Sequence, residues 1–315
     1  MQRYLATRLL ALIPVLLGIL TVVFVLIRLI PGDAVQLFLG TQVELTPEQM
    51  VELRRFFGVD KPMHAQYVDY LSRIVRGDLG VSLRTSRLVL DDILQRLPLS
   101  FQLATLALVV AMLIAVPLGI ASAVTRNSAL DVLARIGGLL GLSMPSFWLG
   151  AMLILVFSRY LHISIGQYVP LTQNPLGTLQ SLYLPSLALG AAIAAILMRY
   201  VRSSLLEVLG QDYIRTARGK GLRAAAVMLR HALPNAMIPV ITVLGFQMGY
   251  LLGGTVVIEE IFALPGMGRL VLQAIFQRDY PVVQGVVLVI ALLFVVTNLV
   301  VDLLYAWIDP RIRYA

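Results

Sequence analysis

The residue types that do covalent chemistry are few in this chain, and they are not spaced for it. The three histidines, His64, His162 and His231, lie far apart and not at the interval that sets two imidazoles on one helix face around a metal. There is no cysteine, so no thiolate nucleophile, disulfide or sulfur-ligated metal is expected. The run Gly219-Lys220-Gly221-Leu222 lacks both the earlier glycine and the following Ser/Thr of a phosphate-cradling loop. The sequence therefore predicts no catalytic residue, cofactor, metal or ATPase site of its own. What it does gather is positive charge. The stretch "DYIRTARGKGLRAAAVMLRHALPNA", Asp212 to Ala236, carries Arg215, Arg218, Lys220, Arg223 and Arg230, with Arg202 just before it. Such a segment binds a partner or an anionic lipid surface.

The elements around that stretch are apolar. Of 315 residues 59% are hydrophobic and 13% charged, against roughly 25% charged in a soluble globule. The net charge of +8 does not point to nucleic acid, because the basic residues sit between apolar spans, where membrane topology accounts for them. Spans are expected at Leu9–Ile30, Leu99–Val124, Leu133–Phe157, Leu182–Tyr200, Ala236–Ile258 and Val282–Ile308. The first is too long for a cleaved signal peptide and reads as a retained anchor. With the N-terminus inside, Arg3, Arg8, Arg126, Arg202, Arg215, Arg218, Lys220, Arg223, Arg230, Arg311 and Arg313 fall on the cytoplasmic side. The short outer loops keep only Arg159, Arg269 and Arg278, and both termini are predicted cytoplasmic.

The outer segment 31–98 is too long for a turn. Thr46, Pro47 and Gln49 spell a helix start with a capping box, and Gly58 a stop. A second helix is expected from Pro62 to Gly77, with Tyr67, Tyr70, Leu71 and Ile74 on one face, laid on the bilayer or on neighbouring helices. Asp and Glu are absent from the middle of every span, which argues against a proton- or sodium-coupled carrier. Asp302 lies near the inner end of the last span, one turn after Asn298.

The basic loop, 202–235, has a pattern of its own. Tyr213 to Lys220 suits two helical turns, and Gly221 permits a sharp break. A second helix is expected from Leu222 to Leu233. Leu222, Ala225, Ala226, Leu229 and Leu233 would form its apolar stripe, flanked by Arg223 and Arg230, with Pro234 ending it before the next span.

The order of these pieces resembles the "EAA" loop of the membrane-spanning subunits of ABC importers. Ala217, Gly221, Leu233 and Pro234 match that pattern; Arg215, Thr216 and His231 depart from the general form but resemble its dipeptide/oligopeptide class. "RLIPGD" at Arg28, "MHAQYVDYLSRIVRGDLGVS", "MPSFWLG" at Met144, "VVIEEIFALPGMGRL", "RDYPVVQG" and "VDLLYAWIDPRIRY" are similar to further motifs of that class, in the same order.

The resemblance implies a single permease domain, 1–315, of the all-α type I importer kind. It would comprise six transmembrane helices, an outer segment at 31–98, a five-helix core at 99–308 and a coupling loop at 202–235. It implies half of a translocation path for peptides or related solutes, the class also taking up nickel complexes, glutathione and oligosaccharides. The implied partners are a second, homologous permease, two ABC ATPases, an extracytoplasmic solute-binding protein and membrane lipid, in a bacterial or archaeal inner membrane. Coupling to the ATPase would fall to Arg215, Thr216, Ala217, Arg218, Gly221, Leu222, Arg223, Leu229, Leu233 and Pro234. Past the fifth span, Pro265, Gly266 and Gly268 would break the helix, giving either a short re-entrant segment with Glu259 and Glu260 at the outer mouth or an ordinary outer loop. An ion-coupled carrier and a structural membrane subunit are the rival classes. The topology is open to test in a chain without native cysteine. Cysteines at Ser86 and Gln173 should react with an impermeant maleimide added to intact cells, and one at Ala224 should not; labelling at Ala224 would overturn the orientation.

Overall fold

The chain is seen in a computed structural model that describes residues 2–29, 46–56, 60–163 and 166–308. Gly58, Arg311, Arg313, the "IPGD" of the first span's exit and the end of the C-terminal motif lie outside the described residues. Contacts divide the chain into two units, residues 1–98 with 266–292, and residues 99–265 with 293–315.

The first unit holds α1 (Gln2–Leu29), α2 (Pro47–Phe56), α3 (Met63–Val75) and α11 (Met267–Gln277). The expected capping box is present. The Thr46 N–H donates to Gln49 Oε1 at 3.0 Å, and the Gln49 N–H donates to Thr46 Oγ1 at 3.3 Å. Gly77, at φ +77°, closes α3: the Asp78 N–H reaches Arg73 O at 3.0 Å and its own N–H reaches Ile74 O at 2.9 Å. The aromatic face of α3 rests on a helix. Tyr67, Tyr70, Leu71 and Ile74 pack with Leu20 and Phe24 of α1, where the Arg28 guanidinium lies 3.5 Å from the Phe24 ring centroid. Arg28 also donates to Gln66 Oε1 from Nε and Nη2 at 3.1 and 2.9 Å.

The turn after Gly80 is fastened to the end of α11. Ser82 Oγ donates to Asp279 at 2.5 Å, and Arg84 donates from Nε and Nη2 to Gln277 O at 3.1 and 3.0 Å.

The second unit is built around α7 (Pro175–Leu209), on which Leu182, Leu184, Ala188, Leu197, Val201 and Leu205 are buried. α5 (Ala129–Ser143), α6 (Ser146–Arg159) and α9 (Leu233–Gly254) pack on it. Helix α4 (Val89–Val124) approaches closely because Gly190 has no side chain; a Cβ there would sit 2.7 Å from Ala107 O. α4 and α12 (Tyr280–Ile308) contribute residues to both units.

Among the described residues, four helices are long and apolar enough to cross a membrane: α4, α7, the helix Ala224–Gly254 and Tyr280–Val301 of α12. The pair α5 and α6 supplies a fifth span, and α1 a shorter apolar stretch, Leu10–Leu26, within the described residues. The third span, expected at Leu133–Phe157, turns by 101° between Ser143 and Ser146. Pro145 lacks an N–H and pushes Met144 out of the helical region, to φ −83° and ψ 122°. The fifth span stops at Gly254 rather than Ile258, and α10 (Val256–Ile261) follows after Thr255.

One polar cluster ties three of these helices together. Asp131, with no exposed surface, accepts from Arg202 Nε at 2.8 Å and Arg202 Nη2 at 3.0 Å. Ser122 Oγ at the end of α4 donates at 2.6 Å and the Asn127 N–H of the connecting turn at 3.0 Å. Every approach to the carboxylate is taken, which is what a buried charge requires. Arg202→Met would leave Asp131 without its bidentate partner, and the purified protein should unfold several degrees lower in detergent. Arg202→Lys should recover only part of that loss, because an ammonium cannot donate two parallel bonds. An unchanged unfolding midpoint for Arg202→Met would show that the pair holds nothing.

Candidate functional site

The basic loop folds against its own bundle by one face only. α8 (Asp212–Gly219) buries Ile214 and Ala217 against Ala123, Leu205, Val227, Ala232 and Ala236. Thr216 Oγ1 donates back to Asp212 O at 3.1 Å, and Arg215 pairs with Asp212 at 3.4 Å on the open surface, where such a pair adds little. Arg218, Lys220 and Arg223 are exposed.

Gly221 adopts φ +78°, and a Cβ there would meet nothing within 4 Å, so only the backbone, not crowding, demands glycine. Asn235 Nδ2 donates to Tyr213 OH at 3.1 Å and to His231 O at 2.9 Å, stitching the two halves of the loop together.

The second helix differs from its sequence pattern. It starts at Ala224 rather than Leu222, passes into a π-helical segment, Val227–Ala232, and continues into α9. Leu233 and Pro234 therefore do not end it. Proline in a regular helix removes one bond and collides with the carbonyl four residues back. Just before Pro234 the bonds already run five residues back, as from the Leu233 N–H to Met228 O, and the wider turn accommodates the ring.

The π spacing also changes which residues face inward. Val227 and Ala232, five apart, are both buried, an assignment that a 3.6-residue period does not make. Of the expected stripe, Leu222 (43%), Leu229 (60%) and Ala225 stay exposed, Ala226 and Leu233 are half-buried, and Arg223 and Arg230 stand open beside them.

On α10 the two expected acids part company. Glu259 is fully buried, and its Oε1 accepts from Ser100 Oγ at 2.7 Å and Thr255 Oγ1 at 2.9 Å; Glu260 is exposed. The chain turns after α10 at Ala263, which holds φ +52° while the Leu264 N–H bonds Glu259 O at 2.8 Å. Pro265 is exposed, and Gly266 is buried in extended backbone.

Sequence reasoning missed the Asp131–Arg202 pair. Its one legible signal was the spacing of Ser128 and Asp131, a helix start in which Ser128 Oγ accepts from the Asp131 N–H at 3.3 Å. Gly221 offers a direct check on the loop. Valine there is strained by roughly 1–3 kcal/mol, whereas asparagine tolerates positive φ. Trypsin should cut Gly221→Val between Arg218 and Arg223 faster than it cuts wild type, and Gly221→Asn should behave as wild type. Equal cutting of all three would mean that the left-handed turn is not required.

Comparison with known proteins agrees with this architecture. The family described as "Binding-protein-dependent transport system inner membrane component" matches residues 115–314, and its N-terminal counterpart matches residues 1–104. The chain is 42% identical over its whole length to the full-length dipeptide transport system permease protein DppB of Alkalihalophilus pseudofirmus. It is 38% identical to DppB of Escherichia coli, covering all of this chain and 99% of the other. It is 41% identical, full length on both sides, to the glutathione transport system permease protein GsiC of Salmonella typhimurium. Among solved structures, a chain of the inward-facing MetNI methionine ABC transporter aligns with a TM-score of 0.57 at 18% identity, over 69% of this chain and 96% of that one; this likeness concerns the fold. With a core of apolar helices, a broken third span and family matches along nearly its whole length, the chain belongs to the inner-membrane components of binding-protein-dependent transport systems, the permease subunits of ABC importers.

Proposed function

We propose that the chain is one of two permease halves of an ATP-driven importer of short peptides, and that the loop 212–234 receives an ATPase subunit. The supporting observation is the division of labour within the loop. Ile214, Ala217, Val227 and Ala232 are buried, while Leu222, Ala225 and Leu229 stand bare among arginines. An apolar face with a basic rim on a well-anchored helix suits insertion into a groove of a soluble partner. The relatives named for dipeptide and glutathione transport support a peptide-like cargo.

In this reading the two ATPases close on ATP, each carrying its docked helix. The permease pair is driven between inward- and outward-open states because the closed ATPase pair binds one state better. The five-helix core, 99–308, forms the path with a homologous, non-identical second permease. The segment 31–98 faces an extracytoplasmic solute-binding protein, and both termini are cytoplasmic. Ala217 and Gly221 fit and turn the docking helix, and Arg215, Thr216, Arg218, Arg223 and Leu222 line the contact. Leu233 and Pro234 carry its motion into α9 through an unbroken helix. Glu260, Pro265 and Gly266 belong to the outer side, with Glu259 bracing α10 against Ser100 of α4.

Leu229 is the residue to test, since at 60% exposure its replacement leaves the permease's own core intact. In a docked helix, Leu229→Asp would bury an unpaired charge in the contact. The ATPase should fail to co-purify with it at any salt concentration, and transport should stop. Arg223→Gln combined with Arg230→Gln keeps the apolar face and should retain most of the ATPase. Wild-type recovery of ATPase with Leu229→Asp would mean that the loop lies on lipid instead.

A further inference from the structure

In the unit built on α7, helices α4, α5 and α7 enclose a half-open groove of about 520 Å³ lined by apolar side chains. Leu118 lines it from α4, Leu130, Leu133 and Gly137 from α5, and Ala195 and Met198 from α7. The groove's side chains offer a peptide's charged ends no hydrogen-bonding group in exchange for the water they would lose. A single hydrocarbon chain needs no hydrogen bond and suits such a lining.

The rim at one end supplies the second half of the ligand. The turn that joins α4 to α5 and the Asp131–Arg202 pair stand next to Ala121, Leu130 and Met198 in sequence, at that end of the groove. Asp131 pairs with both Arg202 and Arg135, and Arg126 follows in the turn between α4 and α5, so arginines outnumber the carboxylate they share at this end. Arg202 already spends two of its N–H groups on Asp131, and Ser122 and Asn127 fill the other approaches. Arg135 is held 3.5 Å from the carboxylate at its edge, with its side chain half exposed, and Arg126 is exposed on the turn.

We propose that this groove binds one anionic phospholipid of the surrounding bilayer, its acyl chain lying along α5 and its phosphate held by Arg126 and Arg135. The chain would fill the space between α5 and its neighbours. α5 is the half of the broken span that carries the most exposed lining residue, Leu133 at 68%. The occupant would then complete the packing of that half.

The test uses the intact purified transporter, titrated with dioleoyl-phosphatidylglycerol or dioleoyl-phosphatidylcholine and read by native mass spectrometry. One phosphatidylglycerol should be retained in preference to phosphatidylcholine. Arg126→Gln with Arg135→Gln should weaken phosphatidylglycerol by at least about tenfold, since each arginine near a membrane surface contributes about fivefold, and should leave phosphatidylcholine unchanged. Gly137→Leu should weaken both lipids, because a Cβ at Gly137 meets nothing within 4 Å and the larger side chain would occupy the groove.

Three results would overturn the proposal: no preference between the lipids in wild type, undiminished retention in Gly137→Leu, or loss of the second permease rather than of lipid in that variant. The arginine variant lies on the surface and reports even if Gly137→Leu misfolds. Lipid retention is read without transport, so its failure would leave the permease reading standing.

Discussion

A carboxylate with no exposed surface has to be satisfied completely or not be charged, and Asp131 is satisfied completely. Four donors from three stretches of chain converge on it: Arg202 twice, Ser122 Oγ and the Asn127 N–H. No one of them can move alone without exposing a buried charge to unpaired surroundings. The end of α4, the start of α5 and the Arg202 turn of α7 are thereby held as one piece. The basic loop leaves from α7 only a few residues later, at Leu209, so its first helix starts from a fixed base. The close contact at Gly190 depends on the same registration of α4 against α7.

That base explains how a short, strongly basic loop keeps a defined shape. α8 has two helical turns, too few to be stable by its own backbone bonds. It is held because Ile214 and Ala217 are buried with Leu205 and Ala123, and because Asn235 reaches back to Tyr213. Once one face is engaged in this way, the other is presented at a fixed angle. The loop is therefore an ordered surface with its charges on the rim, which a lipid-adhering tail has no need to be.

Local grammar was the most legible part of the sequence. The Thr46–Gln49 capping box, the glycine stop at Gly77 and the left-handed turn at Gly221 each depend on a few adjacent residues and one backbone preference. The helical, membrane-spanning class was legible too, because it follows from composition and span length. Features that depend on residues far apart were not. Asp131 and Arg202 are 71 positions apart, and neither stands out alone. Ser100 and Glu259 are 159 apart, so the inward turn of Glu259 could not be separated from the outward turn of Glu260 by adjacent letters. Pro145 could be read in the sequence, but the size of the break there depends on how α6 packs after the turn. The π segment escaped for a different reason: the apolar pattern was fitted to a 3.6-residue period that the chain abandons there.

That segment also sets a gear ratio between the loop and the span. A π turn holds one residue more than the α turn that could replace it. If Val227–Ala232 relaxed to α spacing while α9 stayed still, everything before it would turn by roughly 100° and shift along the axis by about 1.5 Å. The cost is written in the same residues, since Val227 and Ala232 could no longer both stay buried. Leu222 and Leu229 would then face a new direction with α9 still straight. The unbroken helix from Ala224 to Gly254 thus contains a built-in step, one residue in height, at the point where push and pull would enter the membrane.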